Sequence, residues 1–497
     1  MKRVVSNEIM KNADMATIEG GTPSIELMRR AAEGIYKSAS WQGEILVVCG
    51  YGNNAGDGYA LAEILQKNGH RVTLLLLKKR FSADGEYYFN RCLREQIPYF
   101  EYSKALSLSG FDIIVDCIFG TGFKGALEEN ARELISKINE SGAFVISADI
   151  NSGINGNNGL CTQAVKSNVT VAIGEYKLGH FLAMAKDYVG SLTCVDIGIE
   201  VKEKAYSLVE AEDANKLLYE RKNHSNKGTY GYLSIIGGSV QYSGAVKLAN
   251  LAVGAMRCGA GVARLCIPQE IVGGVLPYVL ESTIYPLDSQ DGYIKFNENQ
   301  TQGALKGTRA VAVGMGMGQG SDNKAIIEYI LSSYEGNIVI DADGLNTLSK
   351  LDLSLLKKAK GTVVLTPHLK ELERLCDTPL DEIEKAPASV AESFARQYGV
   401  ILLLKGPSTI ITDGESTYIV NRGCAGMATA GSGDVLSGIL CGLLATTEDR
   451  TPIESVYLGA YINGLAGEMA QDENGQISAL ASDTAGKIKE AIKAIQK

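Results

Sequence analysis

The sequence predicts an α/β chain of two units, each a largely parallel sheet covered by helices on both faces. Short apolar runs alternate with amphipathic segments of helical length, the alternation lapses and restarts near residue 211, and glycine-rich or charged turns follow the apolar runs. Strands that alternate with helices build parallel sheets. Right-handed crossovers then gather the strand-to-helix turns along one edge, where ligands bind. At 497 residues the chain is too long for one ordinary domain.

In the first unit, residues 1–211, strands are expected at 44–50, 71–77, 111–118, 143–150, 169–173 and 191–196, and helices at 58–68, 82–96 and 127–141. A charged stretch from Val201-Lys202-Glu203-Lys204 to Arg221-Lys222-Asn223-His224 marks the boundary. In the second unit, residues 212–497, strands are expected at 233–237, 262–267, 310–313, 337–341, 362–365 and 400–404, with a helix at 244–258. Asp413-Gly414-Glu415 between two apolar runs, 408–412 and 416–420, reads as a hairpin.

Composition excludes several classes. Apolar residues make up 45% and charged residues 21%, so a large core is available. The 56 glycines are separated by apolar runs, which fits a loop-rich enzyme rather than disorder. A net charge of −9 with no basic stripe argues against nucleic acid. No run approaches the roughly 20 apolar residues of a membrane span, and Met1-Lys2-Arg3-Val4-Val5-Ser6-Asn7-Glu8 lacks a leader's apolar core. Ten scattered cysteines without a C-x-x-C, and four histidines without ligand spacing, point to reduced thiols and no structural zinc. A cytoplasmic homo-oligomer acting on small molecules is the expectation.

Two sites stand out. In the first unit, Gly50-Tyr51-Gly52-Asn53-Asn54-Ala55-Gly56-Asp57-Gly58 follows a strand and opens a helix, where glycines let backbone approach a ligand. The spacing is not that of the dinucleotide fingerprint. Gly120-Thr121-Gly122-Phe123-Lys124-Gly125 does fit G-x-G-x-x-G between a strand and a helix, with Asp116 before it. Asp149-Ile150-Asn151-Ser152-Gly153 ends the next strand. Turn chemistry and capping are the bland alternatives for each.

These motifs resemble the N-terminal domain of the bifunctional NAD(P)H-hydrate repair enzymes, which carry G-x-G-N-N-G-G-D-G, D-x-x-F-G-T-G and D-x-x-S-G. Ala55 stands here for a family glycine. The resemblance implies a Rossmann-like unit that epimerises the hydrated nicotinamide ring at C6. It implies substrate contacts at Asn53, Asn54, Ala55, Gly56 and Asp57 and at Gly120, Thr121, Gly122, Phe123, Lys124, Gly125 and Ala126. It further implies a potassium ion held by Asn54, Asp116 and Ser152, and a catalytic, substrate-facing Asp149.

In the second unit, Ala425-Gly426-Met427-Ala428-Thr429-Ala430-Gly431-Ser432-Gly433-Asp434 precedes a long apolar helix. A helix start offers unpaired N–H groups and a positive dipole end to a phosphate. Asp434 is there either a cap or a base beside a transferring phosphoryl group, and the Gly-x-Gly before it favours the base. Gly314-Met315-Gly316-Met317-Gly318, Asp341-Ala342-Asp343, Thr366-Pro367-His368 and Lys405-Gly406-Pro407 end strands on the same predicted edge. Together they suit an anionic ligand.

Gly-x-Gly-Asp before an apolar helix resembles the ribokinase-like fold. Asn226-Lys227-Gly228, Gly237-Gly238-Ser239, Asp343-Gly344-Leu345-Asn346 and Asn421-Arg422-Gly423 narrow this to the dehydratase domain of the same repair family, although His368-Leu369-Lys370-Glu371 departs from its His-Pro-x-Glu. The resemblance implies phosphorylation of the C6 hydroxyl of NADHX or NADPHX, with Mg2+ and ADP (or ATP) as donor, and then loss of phosphate. Hydrate contacts are implied at Gly316, Pro367, His368, Leu369, Lys370, Glu371, Leu372, Glu373 and Asp434. Nucleotide contacts are implied at Lys405, Gly406, Pro407, Ser408, Thr409 and at Cys424, Ala425, Gly426, Met427, Ala428, Thr429, Ala430, Gly431, Ser432 and Gly433. The rival is a small-molecule kinase with a regulatory first domain. A nucleotide-sensing scaffold is disfavoured, since a sensor has no use for a base at Asp434.

Overall fold

The computed structural model describes residues 1–123, 125–254, 257–446 and 449–496. Lys124 therefore lies outside the described residues. The chain divides into two compact units, one of residues 3–206 and one of 207–497 that also takes in Met1 and Lys2.

The first unit is built on a seven-stranded parallel sheet in the order Tyr99–Glu101, Arg71–Leu76, Glu44–Cys49, Ile113–Cys117, Phe144–Ala148, Val169–Ile173 and Ser191–Val195. The central strands are buried and apolar but for half-buried Glu44 at the start of one and Asp116 near the end of the other, because a parallel sheet covered on both faces leaves no polar side to alternate with. Apolar clusters lie on both faces, one including Leu27, Tyr59 and Phe89, the other including Leu134, Ile135 and Ile138. Strand order reverses between Glu44–Cys49 and Ile113–Cys117, so a ligand crevice opens at their C-terminal ends. Gly50 sits there so close to its neighbour that a Cβ would stand 1.9 Å from the Ile118 carbonyl oxygen.

Two expectations need correction. The helix placed at 58–68 begins at Asn53 and runs to Lys67, because extended Gly52 serves as its N-cap. Asn54 to Asp57 are thus first-turn helical residues, not loop. The G-x-G-x-x-G run does not open a helix: the next one begins only at Glu129. The helices Asn7–Glu19 and Ser24–Lys37 were not anticipated.

The second unit carries seven parallel strands in the order Thr283–Leu287, Val262–Pro268, Tyr232–Ile236, Ala310–Val313, Asn337–Ile340, Val363–Leu365 and Ile401–Leu404. The expected hairpin, Thr409–Thr412 with Thr417–Val420, extends this sheet antiparallel. Strand order reverses between Tyr232–Ile236 and Ala310–Val313. Across the core runs Ser432–Ala445, which buries every residue from Val435 to Ala445. A helix apolar all round must be covered all round. Gly438 allows this, since a Cβ there would come within 2.4 Å of the Ala249 carbonyl oxygen.

Candidate active sites

In the first unit, Asp116 is the penultimate residue of Ile113–Cys117 and is fully buried. Its carboxylate accepts hydrogen bonds from Ser147 Oγ and the Ser152 amide at 2.9 Å, from the Ile118 amide at 3.2 Å and from Ser152 Oγ at 2.5 Å. Burial raises this carboxyl above its ordinary value and the hydrogen bonds oppose the rise. Asn54 is 7% exposed, and neither Oδ1 nor Nδ2 has a partner. A buried amide left unpaired costs about 1–3 kcal/mol, which a ligand at this position removes. One carboxylate, one amide oxygen and one hydroxyl are hard donors of low total charge, a set that fits a monovalent cation.

Asp149 follows Phe144–Ala148 with φ at +66°, a left-handed conformation that non-glycine residues rarely adopt. Its carboxylate is 2.5 Å from Lys177 Nζ, and its backbone oxygen is 2.8 Å from His180 Nε2. Burial alone would raise the Asp149 carboxyl, but the Lys177 ammonium outweighs it and holds the group below its ordinary value. Asp57 goes the other way. Burial, followed by the neighbouring Asp149 charge, pushes it well above the carboxylate range.

The remaining sequence-predicted residues divide by their surroundings. Asn53 is exposed at the helix start, whereas Ala55 and Gly56 face the core. Ala55 is helical rather than left-handed, so its replacement of a family glycine brings no backbone strain. A Cβ on Gly120 would lie 3.2 Å from Asn54 Cβ and 3.4 Å from Asp149 Oδ2, which brings these three residues together. The Thr121 amide is 3.4 Å from Asp149 Oδ2. Phe123 stacks on Phe119, and Gly122, Gly125 and Ala126 are exposed. Sequence reasoning missed Lys177 altogether and weighed His180 only as a metal ligand. Lys177 stands four residues beyond the apolar strand Val169–Ile173, and nothing in that stretch of sequence marks it as the partner of Asp149.

In the second unit, Asp341 is 1% exposed and pairs with Lys405 Nζ at 2.9 Å, while Ser437 Oγ donates to its other oxygen at 2.7 Å. Burial works against the Asp341 anion, yet Lys405 and Ser437 hold its carboxyl below the ordinary value. Lys405 also lies 3.6 Å from Glu371. His368 caps Leu369–Cys376 in a reciprocal box with Glu371, so the absence of proline after His368 leaves the helix entry intact. Of the run from Pro367 to Glu373, Leu372 is in the core and Glu373 accepts a hydrogen bond from the Leu380 amide. Gly314, Gly316 and Gly318 all have positive φ, and the Gly318 amide donates to Asp343 at 2.7 Å.

The glycine-rich run is tied down before it reaches the helix. The Gly423 amide donates to Glu468, the Gly426 amide to Gln471, and Ser432 Oγ to the Met427 carbonyl. Ser408 Oγ donates to Asn421 at 2.9 Å, while Gly406 and Pro407 are exposed. Gly431, at φ +94°, is the N-cap of Ser432–Ala445 and provides no side-chain cap. The Ser432 amide turns to the Thr429 carbonyl oxygen at 3.4 Å, and the Gly433 and Asp434 amides after it have no side-chain cap, which suits an anion. Asp434 is helical, not the cap. Burial and then the Asp341 charge push its carboxyl up to about 7, with Lys405 opposing. A carboxylate so poised suits proton abstraction near neutrality.

Fold and sites together define a two-unit α/β chain, a Rossmann-like unit joined to a ribokinase-like one. The family model described as NAD(P)H-hydrate dehydratase matches residues 233–490, and that of the YjeF-related protein N-terminus matches residues 24–179. The bifunctional NAD(P)H-hydrate repair enzyme Nnr of Moorella thermoacetica is 32% identical, covering 97% of this chain and 95% of its own. That of Coxiella burnetii is 30% identical, covering 97% and 98%. The ADP/ATP-dependent NAD(P)H-hydrate dehydratase of Bacillus subtilis, co-crystallized with ATP/Mg2+, aligns with a TM-score of 0.51 at 28% identity over 58% of this chain and 99% of its own. The chain belongs to the family of bifunctional NAD(P)H-hydrate repair enzymes. Among the described residues no helix is long and apolar enough to cross a membrane.

Proposed function

We infer that the chain is a bifunctional repair enzyme for hydrated NADH and NADPH, an epimerase in its first unit and an ADP- or ATP-dependent dehydratase in its second. The carrying observation is Asp434 at an uncapped, glycine-led helix start, with a carboxyl pushed up to about 7. In the dehydratase, Asp434 takes the proton of the C6 hydroxyl as the hydroxyl oxygen bonds to the terminal phosphorus of ADP or ATP. The bond from that phosphorus to the bridging oxygen breaks to leave AMP or ADP. The phosphate then departs with the C6 oxygen and the nicotinamide double bond re-forms as a ring proton is lost. Lys405 to Thr409 and Cys424 to Gly433 hold the nucleotide, and Mg2+ accompanying it supplies positive charge to its phosphates. The hydrate lies along Gly316, Pro367 to Glu371 and Asp434.

In the epimerase, the C6–O bond must open and re-form on the other ring face. That requires one group to give a proton to the departing hydroxyl and one to accept a proton from the entering water. Carboxyls driven apart in acidity divide such roles. Asp57 is the proton-bearing member of the pair and Asp149 the ionised one. Asn54, Asp116 and Ser152 would hold a potassium ion, which supplies a fixed positive charge to substrate oxygens.

The test supplies hydrated NADH with ADP or with ATP and follows NADH absorbance while products are identified. NADH recovery with release of inorganic phosphate is expected. A stable phosphorylated small molecule without NADH recovery would identify a kinase instead.

A further inference from the structure

We propose that Lys177 is the positioning residue of the epimerase site, clamping the Asp149 side chain in its working orientation through a direct ion pair. This rests on the reading of Asp149 as a proton-exchanging group.

Lys177 is 1% exposed, and its ammonium is fixed at two points, 2.5 Å from Asp149 Oδ1 and 2.7 Å from the Ile173 carbonyl oxygen. A lysine buried so deeply persists only where its charge is matched. The same short segment holds Asp149 by its backbone. His180 Nδ1 accepts the Lys177 amide at 3.0 Å, which leaves the proton on Nε2 to be donated to the Asp149 carbonyl oxygen. Lys177 and His180 therefore secure a left-handed residue at both ends.

The carboxylate is held asymmetrically. Oδ1 belongs to Lys177, with the Ile173 amide 3.4 Å away. Oδ2 turns to the Gly120 and Thr121 backbone of the loop proposed to contact substrate. An ion pair serving stability alone gives no reason for one oxygen to face that loop. The titratable groups whose charges bear on the pair are Asp57, with Asp14 and Asp84 beyond it, His180, Glu175 and Cys194. Lys177 is the cation among them that touches Asp149.

The experiment uses the full chain and measures two activities, interconversion of the purified R and S hydrates and dehydration of the S hydrate. Asp149→Asn comes first: retained interconversion would show that the Asp149 reading is wrong, separately from the role of Lys177. Lys177→Gln is then expected to lower kcat for interconversion by about 10²-fold. KM should change less than about threefold, the acid limb should move to higher pH, and dehydration should be unaltered. Lys177→Arg keeps the cation and is expected to retain the wild-type pH profile within about tenfold of the rate. Unchanged kcat in a folded Lys177→Gln protein, or an unmoved acid limb, overturns the proposal. Where Lys177→Gln does not fold, Lys177→Arg decides, and a folded Arg variant as inactive as Asp149→Asn overturns it.

Discussion

Lys405 joins two carboxylates beneath the start of the apolar helix, its ammonium 2.9 Å from Asp341 and 3.6 Å from Glu371. A Cβ on Gly433 would stand 3.5 Å from both Lys405 Nζ and Asp341 Oδ2, so this cluster abuts the backbone proposed to receive phosphate. Removing the cation leaves Asp341 buried and unmatched, a loss of about 3–5 kcal/mol. Lys405→Met should lower the unfolding free energy of the second unit by that order, read by hydrogen exchange of that unit's core strands rather than by activity. Unchanged stability would mean that the pair is not what holds Asp341.

Asp434→Asn tests the base. The amide keeps the shape but takes no proton, so dehydration should fall about 10²–10⁴-fold while nucleotide affinity stays within a few-fold. The pH profile has a definite sign. Asp434 works ionised, so kcat/KM should rise with pH through about 7 and level off above it. Asp343 is among the charges that raise Asp434, and Asp343→Asn should move that limb to lower pH. A profile flat between about pH 6 and about pH 8 would exclude Asp434 as the titrating base.

Gly314 tests how closely the second site is built. It has φ +123°, and a Cβ would meet the Asp341 carbonyl oxygen at 2.0 Å and the Gly344 amide nitrogen at 2.6 Å. Backbone atoms cannot swing aside as a side-chain tip can. Gly314→Ala should therefore displace the Asp341–Asp343 turn, costing more than about 1 kcal/mol and most dehydratase activity. Interconversion of the hydrates in the same protein is the control, expected to be unaltered.

Much of this was legible because buried parallel strands are continuous apolar runs. Val169–Ile173 and Ala310–Val313 match their expected bounds, and others differ by a residue or two at their ends. Thr283–Leu287 was not expected, because Pro286 interrupts its pattern, and in the structure it is an edge strand, where proline is tolerated. The helix start at Asn53 was obscured because asparagine and glycine read as a turn. Lys177 was illegible for another reason. The burial of a lysine is decided by its partner, and Asp149 comes from a different strand end, so no local pattern around Lys177 reports the pair.

His180 gives the first unit a pH-dependent stability of predictable sign. Burial, and then the Lys177 ammonium, push the imidazole down to about 4, against an ordinary 6.5. Between those values the unfolded chain binds a proton that the folded chain refuses, so stability rises with pH across that window and is constant above it. The full contribution is on the order of 3 kcal/mol, present above pH 6.5 and lost as pH falls to about 4. Trp41, the one tryptophan, is buried in this unit beside Tyr36, so its fluorescence follows this unit alone. His180→Asn also loses the contacts to Lys177 and Asp149, and should be less stable than the wild type at pH 7. The informative quantity is how that difference changes with pH. It should narrow steadily as pH falls from 6.5 towards 4, because only the wild type carries the penalised imidazole. A difference independent of pH would mean that His180 titrates normally in the folded protein.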